Sequence, residues 1–173
     1  MAEIQIIHGD ITQQHDDAIV NAANEALLPG GGVSGAIHHA AGPLLFYACR
    51  ALGGCEPGEA KITEGYDLPA RYVIHTVGPV WEGGEAGEDE VLARCYEQSL
   101  ALAQAHELRS IAFPSISTGT YGFPVEHAAP IALRAIREFL DRQARTSIER
   151  VTIVCFDRAT YDIFRHAIAE AVH

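Results

Sequence analysis

The feature that most narrows the fold is an alternation of short apolar runs with helical stripes, sustained from one end of the chain to the other. Ile4-Gln5-Ile6-Ile7-His8 alternates and breaks at Gly9, which reads as a first strand. Asp17 to Val20 is an apolar run ending at Asn21, the pattern of a buried strand whose end delivers polar side chains to a ligand. Helical stretches are predicted over Ala36 to Ala41 and Leu44 to Leu52, parted by Gly42-Pro43. Ile62 to Tyr66 and Tyr72 to Val77 read as strands, the second ended by Gly78-Pro79. Trp81 to Gly87 is Gly- and Glu-rich and reads as a solvated loop rather than a site. The next helix, Asp89 to Ala105, carries Leu92, Cys95, Tyr96, Ser99 and Ala103 along one stripe, with Glu88, Asp89 and Glu90 suited to its N-terminus. Ser110 to Pro114 and Val151 to Phe156 read as further strands. Leu133, Ile136 and Leu140 mark the helix between them, in which Pro130 signals a kink or a late start. Tyr161, Phe164, Ile168 and Val172 line a closing helix. This order predicts an α/β sandwich with helices on both faces of the sheet.

At 173 residues, 48% hydrophobic and 20% charged, the chain suits one domain over residues 1–173 with a packed core. No apolar run reaches 18 residues and Met1-Ala2-Glu3 has no basic lead-in, so neither membrane insertion nor export is expected. Cys49, Cys55, Cys95 and Cys155 form no C-x-x-C pair and sit among apolar neighbours, as reduced thiols of a cytoplasmic protein would. Twelve basic against 23 acidic residues give a net charge of −11, which repels a phosphate polymer at long range and argues against general nucleic-acid binding.

Glycine is nevertheless plentiful, 16 residues, and six of them fall in two clusters, Gly30 to Gly35 and Gly119 to Gly122. Both clusters lie where the chain leaves a strand region and approaches a helix, so backbone N–H groups can converge on an anion without any lysine. Gly30-Gly31-Gly32-Val33-Ser34-Gly35 also satisfies G-x-G-x-x-G and raises a dinucleotide-binding reading, that of an NAD-dependent oxidoreductase. That reading is weak, because Glu25-Ala26-Leu27-Leu28-Pro29 separates the cluster from its strand and the acid at the expected distance, Glu56, sits in a turn. A second loop, Ser115-Ile116-Ser117-Thr118-Gly119-Thr120-Tyr121-Gly122, suggests instead that two loops flank one diphosphate.

Four motifs occur in the order seen in macrodomains. They are Gly9-Asp10-Ile11-Thr12, Asn21-Ala22-Ala23-Asn24, Gly30 to His38 with Ala40-Ala41-Gly42, and Ser117 to Pro124. The chain resembles a stand-alone macrodomain of the MacroD type from Ile4 to about Ala171. The resemblance implies a three-layer α/β/α sandwich with a mixed central sheet and a cleft for ADP-ribose. On it, Asp10 would accept a hydrogen bond from the adenine amino group with the Ile11 backbone beside it, although a capping role ahead of Thr12 is the competing reading. Phe156 would stack on the adenine, or serve as an ordinary strand-end aromatic. Gly32, Val33, Ser34 and Gly35 would hold one side of the diphosphate, and Ser117, Thr118, Gly119, Thr120, Tyr121 and Gly122 the other. Asn24 would bond the distal ribose hydroxyls, since an amide donates and accepts at once. Asn21 would organise the loop from below and Phe123 would cover the ribose.

One position departs from the MacroD-type pattern, which has aspartate between Val33 and Gly35 where this chain has Ser34. The family aspartate is thought to position or deprotonate the attacking water. Serine can orient water but is no base near neutral pH. His38, His39 and His127 could in principle replace that base, yet scaffold or surface roles suit them better. The resemblance therefore implies an ADP-ribosyl ester hydrolase, acting on mono-ADP-ribosylated acidic residues or O-acetyl-ADP-ribose. Water would be the nucleophile, with no metal or cofactor, and Asn24, Ser34 and Gly35 would form the catalytic centre. A non-catalytic ADP-ribose reader is the alternative that Ser34 favours. A monomer is expected.

Overall fold

A computed structural model describes residues 2–171. In chain order it contains β1 (Glu3–His8), a 3-10 turn (Ile11–Gln13), β2 (Ala18–Ala22), α1 (Gly32–Ala41), α2 (Pro43–Leu52), β3 (Ala60–Glu64) and β4 (Tyr72–Thr76). These are followed by α3 (Glu88–Ala105), β5 (Ser110–Phe113), α4 (Val125–Arg142), β6 (Arg150–Cys155) and α5 (Arg158–Ala171). Six strands form one sheet in the order β1-β6-β5-β2-β4-β3. All neighbours run parallel except the β3–β4 pair at one edge, so the sheet is mixed, as the resemblance implies.

The period of two along each strand sorts side chains onto two cores. Ala18, Val20, Ile74, Ile111, Phe113, Val151 and Ile153 face α3, α4 and α5, whose Leu92, Tyr96, Ala132, Ile136 and Phe164 meet them. Ile19, Val73, Ala112 and Val154 face α1 and α2, where Ile37, Leu45 and Cys49 pack. Helices on both faces explain why β2 is apolar on both sides. The helices thus form two outer layers around the sheet, and the α/β sandwich expected from the alternation is the observed fold.

Several boundaries differ from the reading of the sequence. α1 starts at Gly32, not Ala36, so the glycine cluster is itself the first turn of a helix. β3 lies two residues earlier than Ile62–Tyr66, because the chain turns at Gly65, whose N–H donates to Arg71 O (2.8 Å), and Tyr66 takes φ 52°. α4 begins at Val125 and runs through Pro130, which excludes a late start. The closing helix has Phe164 buried with Tyr161 and Ile168 packed beside it, while Val172 lies outside the described residues.

Candidate functional site

A cavity of about 510 Å³ opens at the carboxyl ends of the parallel strands. The segments that follow β1 (Gly9 to Ile11), β2 (Ala23, Asn24), β4 (Gly78), β5 (Pro114, Ser115 and Ser117 to Tyr121) and β6 (Phe156, Asp157, Thr160) all line it, together with Gly30 to Ser34. This is where an open α/β sheet is expected to bind a ligand.

Its first wall is the start of α1. An α-helix leaves its first N–H groups without intrahelical acceptors, and here no side chain caps them. Gly35 N–H already donates to Gly31 O (3.3 Å), whereas those of Gly32, Val33 and Ser34 have no acceptor among the described residues. Gly35 must be glycine, since a Cβ there would collide with the Gly30 carbonyl oxygen. Ser34 is 6% exposed and lines the cavity.

The second wall is the loop after β5. Thr118 N–H is bound within the loop to Ser115 O (3.5 Å), while those of Ser117, Gly119, Thr120 and Tyr121 have no acceptor among the described residues. Ser117 adopts φ 66°, a left-handed conformation unusual for a residue with a Cβ, and its buried hydroxyl has no partner among the described residues. Phe123 N–H donates to Ser117 O (3.0 Å), and Tyr96 Oη receives Ile116 N–H (3.3 Å), tying the loop to α3. Behind it, Trp81 N–H donates to Tyr121 O (2.8 Å) and the Trp81 and Phe123 rings lie 4.6 Å apart.

The two walls thus bring seven unengaged backbone N–H donors to residues lining one cavity that, among the described residues, is lined by no lysine, arginine or histidine. Its charged side chains are Asp10 and Asp157. Asp10 caps the 3-10 turn through Oδ1, which accepts from Thr12 N–H (2.9 Å) and Thr12 Oγ1 (2.7 Å). Capping engages only that oxygen, leaving Oδ2 for the cavity. Asp157 caps α5 by accepting Thr160 N–H (2.8 Å), and bonds from Thr160 hold its carboxyl below the usual range. Phe156 also lines the cavity and is 80% exposed, so it is no core aromatic. Asn24 donates to Leu28 O (2.8 Å) and accepts Leu28 N–H (3.0 Å). One Nδ2 hydrogen and one Oδ1 lone pair remain.

Other expected site residues lie elsewhere. Phe123 is 1% exposed, packs on Trp81 and stacks on His127, and cannot cover a sugar; Tyr121 lines the cavity in its place. Gly35 and Gly122 shape the walls without lining the cavity. Asn21 does not brace the loop: it donates to Nδ1 of His75 (3.1 Å) across the β2–β4 pair. That leaves His75 Nε2 to donate to Thr63 Oγ1 (2.9 Å), and burial, with His38 nearby, pushes the ring's pKa down to about 3. His38, His39 and His127 are absent from the cavity, as is Glu56. The loop after Trp81 is solvated as expected, and Glu88 stands in the first turn of α3 as expected. It is buried and accepts N–H groups of Glu82, Gly84 and Ala86 (2.9, 2.9 and 2.7 Å), which hold its pKa down to about 2.

Gly78, Asp157 and Thr160 belong to the cavity but were not singled out for it by the sequence. Asp157-x-x-Thr160 directly after a strand is an N-cap signal that could have marked the second acid. Gly78 carries no local signal; its role is to leave room for the Ser117 hydroxyl, with which a Cβ would collide.

Comparison with known proteins places the chain among relatives of one family. The chain is 60% identical to a Macro domain-containing protein of Chlorobaculum tepidum over 166 residues, spanning 96% of this chain and 95% of that one. It is 55% identical over 169 residues to an O-acetyl-ADP-ribose deacetylase of Klebsiella pneumoniae, spanning 95% of each. It superposes with a TM-score of 0.90 and 44% identity on the Trypanosoma brucei macrodomain crystallised in complex with ADP-ribose, covering 96% of this chain and 69% of that one. The Macro domain family model matches residues 20–132. With the fold and the matched sequence in agreement, the chain belongs to the Macro domain family.

Proposed function

We propose that the cavity binds ADP-ribose and that the protein hydrolyses ADP-ribosyl esters, releasing ADP-ribose and a carboxylic acid. The observation that carries the reading is the set of seven unengaged N–H donors on two facing walls without a cation. A diphosphate satisfies donors that are otherwise unpaired, and the α1 N-terminus adds a favourable dipole. Asp10 Oδ2 accepts from the adenine amino group while Phe156 stacks on the base. Asn24 bonds the distal ribose hydroxyls with the amide positions that Leu28 leaves open.

Water attacks at the distal ribose ester; the ester C–O bond breaks and the leaving oxygen takes a proton. Ser34 orients that water by hydrogen bonding, and the bound diphosphate polarises it. The helix-end N–H groups stabilise charge as it develops. Both mono-ADP-ribosylated acidic residues and O-acetyl-ADP-ribose present this ester. Ser34 itself supports a second reading, an ADP-ribose reader without turnover, because a serine supplies no base.

A paired assay separates the two. ADP-ribose at 100 times its dissociation constant should stabilise the fold by about 2.7 kcal/mol in a thermal shift. Release of ADP-ribose from O-acetyl-ADP-ribose should rise in Ser34→Asp by a factor approaching the roughly 10²–10⁴ of general-base help. It should fall in Asn24→Ala. Binding without release in the wild type, and none restored by Ser34→Asp, would leave the reader.

A further inference from the structure

The segment between β2 and the glycine cluster, Glu25 to Pro29, lines no part of the cavity, yet it determines how Asn24 is held. Among the described residues, four that are not glycine take a left-handed φ: Leu27 (58°), Tyr66 (52°), Glu107 (57°) and Ser117 (66°). Tyr66 and Glu107 are exposed. The two buried ones stand at the cavity, Ser117 in its second wall and Leu27 three residues after Asn24. Leu27 is the harder case, because a bulky aliphatic side chain makes a positive φ a genuine outlier. Such strain persists only where the surroundings over-determine it, and it clusters at functional sites.

What over-determines Leu27 is visible on both sides of the turn. The side chain is 1% exposed and belongs to the core under α1 and α2, with Ala23, Ile37 and Leu45. Its N–H donates to Asn24 O (3.0 Å), closing a turn over Glu25 and Ala26, and Glu25 O accepts Cys55 N–H (2.8 Å). The left-handed step at Leu27 then brings Leu28 back against Asn24, and Pro29 biases Leu28 toward an extended backbone. The N–H and C=O of an extended residue point the same way, so one side chain can meet both. Asn24 does so: Oδ1 accepts Leu28 N–H (3.0 Å) and Nδ2 donates to Leu28 O (2.8 Å). Pairing a donor with the oxygen and an acceptor with the nitrogen fixes which end of the amide is which.

We infer that Leu27 is a positioning residue for the distal ribose. Its side chain, sunk in the core, holds the left-handed step that presents Leu28 to Asn24, and so aims the remaining Nδ2 hydrogen and Oδ1 lone pair at the sugar. The inference rests on the proposed ADP-ribose reading. Leu27 lines no part of the cavity and acts only through Asn24. The position therefore needs two properties at once, enough apolar volume to stay in the core and no branch at Cβ to oppose φ 58°. Leucine and methionine have both. Valine keeps most of the volume, but its Cβ branch opposes the backbone.

Calorimetry with ADP and ADP-ribose, which differ by the distal ribose, tests this. Wild type should prefer ADP-ribose, and Asn24→Ala should abolish the preference. Leu27→Val should cut the preference about tenfold, the worth of a hydrogen bond or two misplaced, while affinity for ADP stays within about twofold. Leu27→Met should keep both affinities within about twofold of wild type. Both substitutions keep most of the buried volume, so both variants should fold. Adding Leu27→Val to Asn24→Ala should lower neither affinity further, because residues that act through one group do not add. The positioning role is overturned, and Leu27 is a core residue only, under any of four results: a preference unchanged in Leu27→Val, an equal loss in Leu27→Met, ADP and ADP-ribose affinities that fall together, or a further loss in the double variant. A wild type that binds ADP-ribose no better than ADP also overturns it, taking Asn24 away from the ribose while leaving the diphosphate site. A wild type that binds neither nucleotide removes the ADP-ribose reading itself, and the inference with it.

Discussion

The two walls of the cavity expose the same kind of donor by different physical means. At α1 the helix itself does the work: its first N–H groups are free by geometry, and the main tertiary demand is the close passage of the Gly30 carbonyl over Gly35. The loop after β5 has no helix to order it. Ser117, at φ 66°, is held by Phe123 N–H and by the space Gly78 leaves, its neighbour Ile116 is tied to Tyr96 and Tyr121 to Trp81, and Trp81 begins a segment folded around the buried carboxylate of Glu88. The first wall is encoded almost within one hexapeptide, whereas the second depends on residues up to about 40 positions away in the chain. A substitution should therefore damage the first wall only from within, and the second also from a distance.

The sharpest break in that contrast comes from two glycines. Gly35→Ala sets a methyl against a backbone carbonyl that cannot rotate away, so about 2–3 kcal/mol of stability should be lost. ADP-ribose affinity should fall with it by roughly 50-fold, the same energy expressed as binding. Gly78→Ala meets the Ser117 hydroxyl and the Ile116 side chain, which can give way. It should cost only about 0.5 kcal/mol in stability, because those side chains yield and alanine narrows the unfolded ensemble, yet roughly tenfold in affinity, about 1.4 kcal/mol, because the yielding residue is one whose N–H faces the ligand in the proposed complex. Chemical denaturation and calorimetry read both quantities. Equal ratios of stability loss to affinity loss in the two variants would mean the walls are not organised differently.

This difference also sets what could be read from the residues alone. The strand and helix order was legible because β2, β5 and β6 each hold an unbroken apolar run, Ala18 to Val20, Ile111 to Phe113 and Ile153 to Cys155, and α3 carries a stripe of apolar residues. The first wall was legible as a glycine cluster, although its being the first turn of α1 was not: three glycines in succession carry no helical propensity. In the second wall the motif was visible, but Phe123 was assigned to the sugar when it belongs to the core. An aromatic after a glycine loop looks the same in sequence whether it turns outward or inward, and Trp81 and His127 decide the matter from other elements. The place of Glu88 in the first turn of α3 was legible, but its burial was not, for a related reason: the three N–H groups it accepts belong to the preceding loop, and nothing at the helix start announces them.

Glu88 supplies the next test of the remote dependence. Its folded pKa of about 2 lies below its ordinary value of 4.5, so the carboxylate contributes stability that is fully present above about pH 4.5. That contribution declines as the pH falls and is lost once the folded pKa is passed near 2. Glu88→Gln should lower the melting temperature at pH 7, and the difference from wild type should shrink between pH 4.5 and 2. If the Trp81 segment braces the second wall, ADP-ribose affinity at pH 7 should weaken by roughly threefold, a sub-kcal/mol effect transmitted through Tyr121. A lower melting temperature with unchanged affinity would confine Glu88 to its own loop.

The smallest expected effect probes whether the first wall binds through its backbone. Ser34→Ala keeps the helix start, since alanine is the better helix former and no side-chain cap is lost there. The N–H of residue 34 stays free, and the substitution removes only a hydroxyl from the cavity lining. Affinity for ADP-ribose should then stay within about twofold, well under 1 kcal/mol, while ester turnover should fall because the hydroxyl proposed to orient water is gone. A tenfold loss of affinity would show the hydroxyl itself bonding the ligand. The first wall would then need a side chain, as the second needs its scaffold, and the contrast between a wall made by helix geometry and a wall made by packing would narrow.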